Sequence, residues 1–205
     1  MTLNTWLGFL LASLIIAVTP GPGAVLSMST GMRHGYRTAL RGILGLQLAL
    51  LIQIVIVALG VGALLATSEL AFSVMKFLGA LYLTYLGVQR WRAPVLAIDA
   101  ADLPVPTTSI FRQAVLVNMT NPKAIVFICA LVPQFIDLSR PLILQYVQIA
   151  LTLCLTDMAI MSCYAQMGSR LAGLFSSAKA LRWQNRFFGG LFVAAGLALV
   201  FSGRA

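Results

Sequence analysis

The sequence predicts an all-α integral membrane protein: about six transmembrane helices in two inverted three-helix repeats, with the first and fourth helices broken. Three observations predict it. The 205-residue chain is 60% hydrophobic and only 9% charged, with a mean hydropathy of +0.95, whereas a soluble domain carries about 25% charged residues. So few polar groups cannot cover a water-facing surface, and the solvent must largely be lipid. The apolar stretches are of the length a bilayer crossing needs, roughly 20 residues. Proline-bearing interruptions and glycine-aromatic motifs recur in the same order in the two halves of the chain.

The first apolar run covers residues 3–18, is interrupted by Thr19-Pro20-Gly21-Pro22-Gly23, and resumes over 24–30. No Lys or Arg precedes Arg33, so this run lacks the basic start of a signal peptide and reads as a retained helix. The second run covers about 42–66 and the third about 70–88. Residues 93–109, with Pro94, Asp99, Asp102, Pro104 and Pro106, read as a polar linker. A fourth run, about 111–136, is interrupted by Asn121-Pro122-Lys123; a fifth covers about 142–167 and a sixth about 187–201. The chain is then one transmembrane domain: repeat one over 1–92, a linker over 93–110, and repeat two over 111–205.

Orientation follows from the basic residues. Arg33, Arg37 and Arg41 lie after run one; Arg90, Arg92 and Arg112 flank the linker; Arg170, Lys179, Arg182 and Arg186 follow run five. Only Arg140 and Arg204 fall on the other side. Ten against two places the three basic loops in the cytoplasm and both termini outside. The same distribution answers the net charge of +9: the basic residues form no aromatic-interleaved patch, so nucleic acid is not the expected partner. Cys129, Cys154 and Cys163 sit in apolar runs without metal-ligand spacing, and His34 is the single histidine. Neither a metal site nor another cofactor is expected.

The repeat rests on two matched motifs. Thr19-Pro20 corresponds to Thr120-Asn121-Pro122, and Lys76-Phe77-Leu78-Gly79-Ala80-Leu81-Tyr82 to Arg186-Phe187-Phe188-Gly189-Gly190-Leu191-Phe192. Three helices per half force the halves into opposite orientations, a signature of secondary transporters. Proline inside a span deprives a carbonyl of its donor, and in lipid such groups must be met by protein or by a water-filled cavity. The expectation is that the chain unwinds at both breaks. New half-helices then begin near Ala24 and at Pro122, and their N-termini converge on a site suited to a carboxylate.

Thr19, Pro20, Gly21, Pro22, Asn121, Pro122 and Lys123 are therefore candidate substrate-binding residues. Asn118, which flanks the second break, and the intramembrane amide Gln47 join them. Gln53 and Gln134 read as interhelical hydrogen-bonding amides, Lys76 as an interfacial anchor, and Tyr82 and Tyr85 as packing. Ionisable groups inside a span cost about 2.5–3.5 kcal/mol on insertion scales and mark function by default. Asp157, near the middle of the fifth run, is the candidate that takes up and releases a proton or binds a substrate ammonium. Pairing with Lys123 alone is the structural alternative.

Thr19-Pro20-Gly21-Pro22, the stretch Gly79-Ala80-Leu81-Tyr82-Leu83-Thr84-Tyr85-Leu86-Gly87, and Asn121-Pro122-Lys123 followed by Pro133-Gln134-Phe135 resemble the LysE/RhtB family of amino-acid exporters, from the first helix to the last. His34-Gly35-Tyr36-Arg37, Gln89-Arg90-Trp91-Arg92, Asn118-Met119-Thr120 and Asp157 with Tyr164-Ala165 look most like its homoserine/homoserine-lactone branch. The resemblance implies a bacterial inner-membrane protein that exports homoserine, its lactone, threonine or related neutral amino acids, driven by protons. Gly23 departs from the polar residue many members carry after Pro-Gly-Pro, which removes a side-chain contact there but not a backbone one.

An exporter of leucine-type or basic amino acids, a passive channel and an importer are the rivals within transport. A membrane enzyme is the rival from another class, but no GxSxG, HExxH or GxGD-like pair is present. The expected partners are a small amino-acid-type substrate, protons and membrane lipid. The abundant small residues also permit a homo-oligomer.

Overall fold

The computed structural model describes residues 1–67, 69–92 and 109–171, together with 182, 183, 186, 187, 189, 190, 193, 194 and 197. The linker expected over 93–110 lies outside the described residues except for its last two positions, as does most of the sixth run. Every described element is helical. In order they are α1 (Leu3–Val18), α2 (Pro22–Thr67), α3 (Glu69–Arg92), α4 (Ile110–Met119), α5 (Pro122–Val126), a π-helical turn (Phe127–Leu131), a 3-10 turn (Val132–Phe135) and α6 (Leu142–Leu171).

α1 opens on Thr2, whose hydroxyl accepts from Thr5 N, and stops because Pro20 follows. The ring of a proline forces the preceding residue out of helical geometry, and Thr19 is extended at φ −68°, ψ 119°. The second break obeys the same rule: Asn121, before Pro122, is extended at φ −72°, ψ 107°. Pro22 and Pro122 each begin the next helix, where a missing N–H has no consequence. The half-helix after the first break thus starts at Pro22, two residues before the expected Ala24. Across the second break the chain bends by 51°.

α2 cannot be one straight rod. At 1.5 Å per residue, Gly23 and Leu46 would stand about 34 Å apart in a continuous helix, yet a Cβ on Gly23 would lie 3.3 Å from Leu46 Cδ1. The chain folds back at Gly35, where φ is 74° and ψ 168°, a backbone state open essentially to glycine alone. The basic stretch 33–41 read from sequence as a loop is therefore two helix ends joined at one residue. Among the described residues no atom stands within 4 Å of a Cβ placed there, so Gly35→Ala isolates backbone strain. It is expected to cost about 1–3 kcal/mol, read as a lower midpoint of thermal unfolding in detergent.

Helix directions follow from contacts. Trp6 Nε1 donates to Thr152 Oγ1 and Tyr164 Oη to Val18 O, while Gly168 abuts the backbone of Met28. α1 thus advances alongside α6 in the same sense, and the first limb of α2 packs against the last turns of α6. The second limb runs with α4: Gly42 lies against Ile110, Gly45 against Phe111, and Gln53 against Asn118.

α6 divides into two faces. Gln145, Ile149, Leu153, Met161 and Ala165 are buried at helical spacing, with Asp157 on the same line, while Leu144, Val147, Leu151 and Leu155 are exposed. An apolar stripe facing outward is what lipid covers and water does not. Among the described residues, two stretches are long and apolar enough to cross a membrane, Pro22–Gly60, which folds back at Gly35, and Leu142–Ser169, and a third if Ile110–Met119 and Pro122–Phe135 count as one bent span. The interior holds two apolar clusters. One surrounds Phe9, Phe127, Ile128, Ile149 and Leu153; the other surrounds Ala24, Ile43, Leu46, Met161 and Ala165.

Candidate functional site

The break in α1 leaves carbonyls at its C-terminal end without helical donors, and the structure accounts for most of them. Ile15 O accepts from Thr19 N and from the Thr19 hydroxyl at 2.7 Å. Val18 O accepts from Tyr164 Oη at 2.7 Å. Ile16 O and Thr19 O both accept from Lys123 Nζ, at 2.8 and 2.7 Å. The negative end of a helix favours a cation, and the ammonium of Lys123 fills that role. The two breaks therefore meet directly, through the first residue after Pro122.

The second break is tied down by amides. Asn121 Oδ1 accepts from Lys123 N at 3.1 Å and caps the new helix. Asn121 Nδ2 donates to Asn118 Oδ1 at 3.1 Å, and Asn118 Nδ2 donates to Leu46 O at 3.0 Å. Gln53 Nε2 donates to Asn118 O at 2.8 Å. Both asparagines are buried, so their hydrogen bonds are expensive to leave unmade. Asn118→Ala strands Asn121 Nδ2 and is expected to cost about 1–3 kcal/mol, measured by thermal unfolding of the purified protein.

A cavity opens between the two apolar clusters where these breaks meet. Asn118, Asn121, Lys123 and Asp157 line it with apolar residues of α1, α2 and α6. Asp157 Oδ2 accepts from Gln47 Nε2 at 2.8 Å. The cavity volume of about 30 Å³ admits a water or two, since one water needs about 10–15 Å³ by this measure. An amino acid is several times too large, so this is a closed arrangement.

Of the residues singled out from sequence, Thr19, Gly21, Asn118, Asn121, Lys123, Asp157 and Gln47 come together. A Cβ on Gly21 would lie 3.3 Å from Lys123 Nζ, so the glycine gives the ammonium its room. Pro20 is half-buried, and Pro22 and Pro122 are exposed; they shape the breaks from outside the cavity. Two half-helix N-termini were expected to face each other. The first residues of both new half-helices, Gly23 and Ala24 after the first break and Lys123 and Ala124 after the second, line the same cavity; the hydrogen bonds also set the carbonyl end of α1 against Lys123, and the first free amide of α5 is satisfied by Asn121. Sequence reading gave Tyr164 no role at the site. Its signal was the seven-residue spacing from Asp157, two turns along the same face of α6.

A family model described as LysE type translocator matches residues 14–203. The "Homoserine/homoserine lactone efflux protein" of Salmonella typhimurium is 42% identical over 97% of both chains. An "Uncharacterized membrane protein" of Vibrio cholerae is 39% identical over 97% of this chain and 98% of its own. A "Leucine efflux protein" of Enterobacter sp. is 30% identical over 67% of this chain and 65% of its own. No solved structure matches the chain.

Proposed function

The chain belongs to the LysE type translocator family, and from that premise we propose that it exports homoserine, its lactone and similar small neutral amino acids across the bacterial inner membrane in exchange for protons. A translocator family, not an enzyme family, is what the comparisons place it in. The substrate follows from the relatives aligned over almost the whole chain at 42% identity; the leucine exporters align over two thirds at 30%. The observation that carries the reading is the convergence of both helix breaks on a cavity into which Asn118, Asn121, Lys123 and Asp157 bring polar groups.

In this reading the two halves form inverted repeats. What supports it is that α1 runs with α6, while α4 runs with the second limb of α2. Both termini lie outside, on the strength of the basic residues. Substrate reaches the cavity from the cytoplasm when the closed arrangement opens on that side.

Asp157 is the proton carrier. Its carboxylate accepts from Gln47 Nε2, while Gln47 Oε1 is buried with no hydrogen-bond partner among the described residues. A half-turn of the amide presents that oxygen to a protonated Asp157, which becomes the donor. Gln47 thus suits both states of the carboxyl, as a residue beside a proton carrier must.

The test is efflux from proteoliposomes loaded with labelled homoserine. Uphill movement driven by a proton gradient, abolished by an uncoupler, is the expected result. Flux that only dissipates a homoserine gradient would mean a channel, and chemical change of the solute an enzyme.

A further inference from the structure

We propose that the carbonyl end of α1 is the amine-binding site for the transported molecule, and that Lys123 is a tethered stand-in occupying that site when the cavity is closed. The inference rests on the exporter reading above and names the chemistry by which that cavity recognises its substrate, a primary ammonium beside a small polar body.

Lys123 Nζ sits on Ile16 O and Thr19 O at 2.8 and 2.7 Å, two acceptors at a helix end whose partial charge is negative. An alkylammonium carries three such donors and no acceptor, and a substrate α-ammonium has the same head. A Cβ on Gly21 would lie 3.3 Å from Lys123 Cε and Nζ, so the absence of a side chain there leaves the ammonium-bearing chain its place against the carbonyls. The closed cavity holds only about 30 Å³, so no amino acid enters while Lys123 lies across it. Swinging the four-carbon stem aside frees two carbonyls and the stem's own volume in one movement.

The ligands of the aligned relatives fit this chemistry. Homoserine and its lactone, named for the protein 42% identical to this one, share an ammonium but not a carboxylate. A site that accepts both must hold the amine. With homoserine, the displaced Lys123 meets the substrate carboxylate; with the lactone it turns to Asp157, which lines the same cavity. Lysine and substrate amine compete for the same carbonyls, so the occupied fraction of the site weakens apparent affinity in proportion.

The experiment uses the full chain in proteoliposomes and counterflow of labelled homoserine. In the wild type, homoserine lactone is expected to compete, and N-acetylhomoserine lactone to compete at least about tenfold more weakly, equivalent to ~1.4 kcal/mol. Equal competition by the acetylated compound overturns the proposal. In Lys123→Met, the half-saturating concentration of the lactone is expected to fall about threefold because the internal competitor is gone, while that of homoserine rises. A parallel weakening of both ligands overturns the proposal, since it would mark Lys123 as a structural strut. If Lys123→Met does not accumulate, the acetylation comparison in the wild type decides alone. A wild type that moves no homoserine sinks the exporter reading; one that moves homoserine but ignores acetylation sinks only the amine site.

Discussion

Replacing Gly168 by leucine is expected to leave little folded protein in the membrane. A Cβ at Gly168 would run into the carbonyl group of Met28, and a Cβ at Gly31 into the carbonyl of Ala165. The neighbours are backbone atoms and cannot turn aside as a side chain would. In lipid, helices gain little from hiding apolar surface against one another, and association depends on close packing at small residues. Overpacking a tight contact costs about 1–3 kcal/mol, occasionally more, and here leucine adds a whole side chain where no methyl fits. Gly31→Leu is expected to behave alike. Gly60→Ala is the control: among the described residues nothing lies within 4 Å of its Cβ, and alanine improves helix propensity by about 1 kcal/mol. Size-exclusion profiles in detergent separate these outcomes, with a monodisperse peak for Gly60→Ala and aggregate or no protein for the other two.

Asp157→Asn is expected to abolish proton-driven accumulation while leaving counterflow of labelled homoserine measurable. Asparagine keeps the size of the side chain and an oxygen for Gln47 Nε2, which now donates to Asp157 Oδ2 at 2.8 Å. What it loses is the capacity to gain and release a proton. Efflux by the wild type should rise as the outer medium is acidified, and efflux by the variant should not respond. If the variant retains the pH response, the proton carrier is some other group. If it loses counterflow as well, Asp157 serves substrate rather than protons.

The two helix breaks were legible because proline acts on the residue before it, so Thr19 and Asn121 had to leave helical geometry wherever the rest of the chain went. The inward place of Asp157 was legible too, because an ionisable group in the middle of an apolar run is costly against lipid; the structure sets it on the line of the buried Ile149, Leu153, Met161 and Ala165. What lay beyond reach was the pairing between distant backbone atoms and side chains. Nothing in the sequence ties Lys123 to the carbonyl of Ile16, 107 positions away. The turn at Gly35 was hidden for another reason: hydropathy registers polarity, and the arginines around it look like a loop although the chain there is helical on both sides. The π-helical turn at Phe127–Leu131 left no mark in composition either.

The backbone contacts of Gly31 and Gly168 bear on how the molecule works as a machine. Helices joined peptide to peptide resist shear, so the hairpin of α2 and α6 make a chassis. α1 is fastened differently, by detachable fittings: the Trp6 indole on Thr152, the Phe9 ring edge-on to Phe135 with centroids 5.2 Å apart, the Tyr164 phenol and the Lys123 ammonium. Each can let go and re-form without disturbing a helix. With the amine site proposed above, α1 is the lever of such a device, and the Lys123 contact is the latch that the ligand replaces.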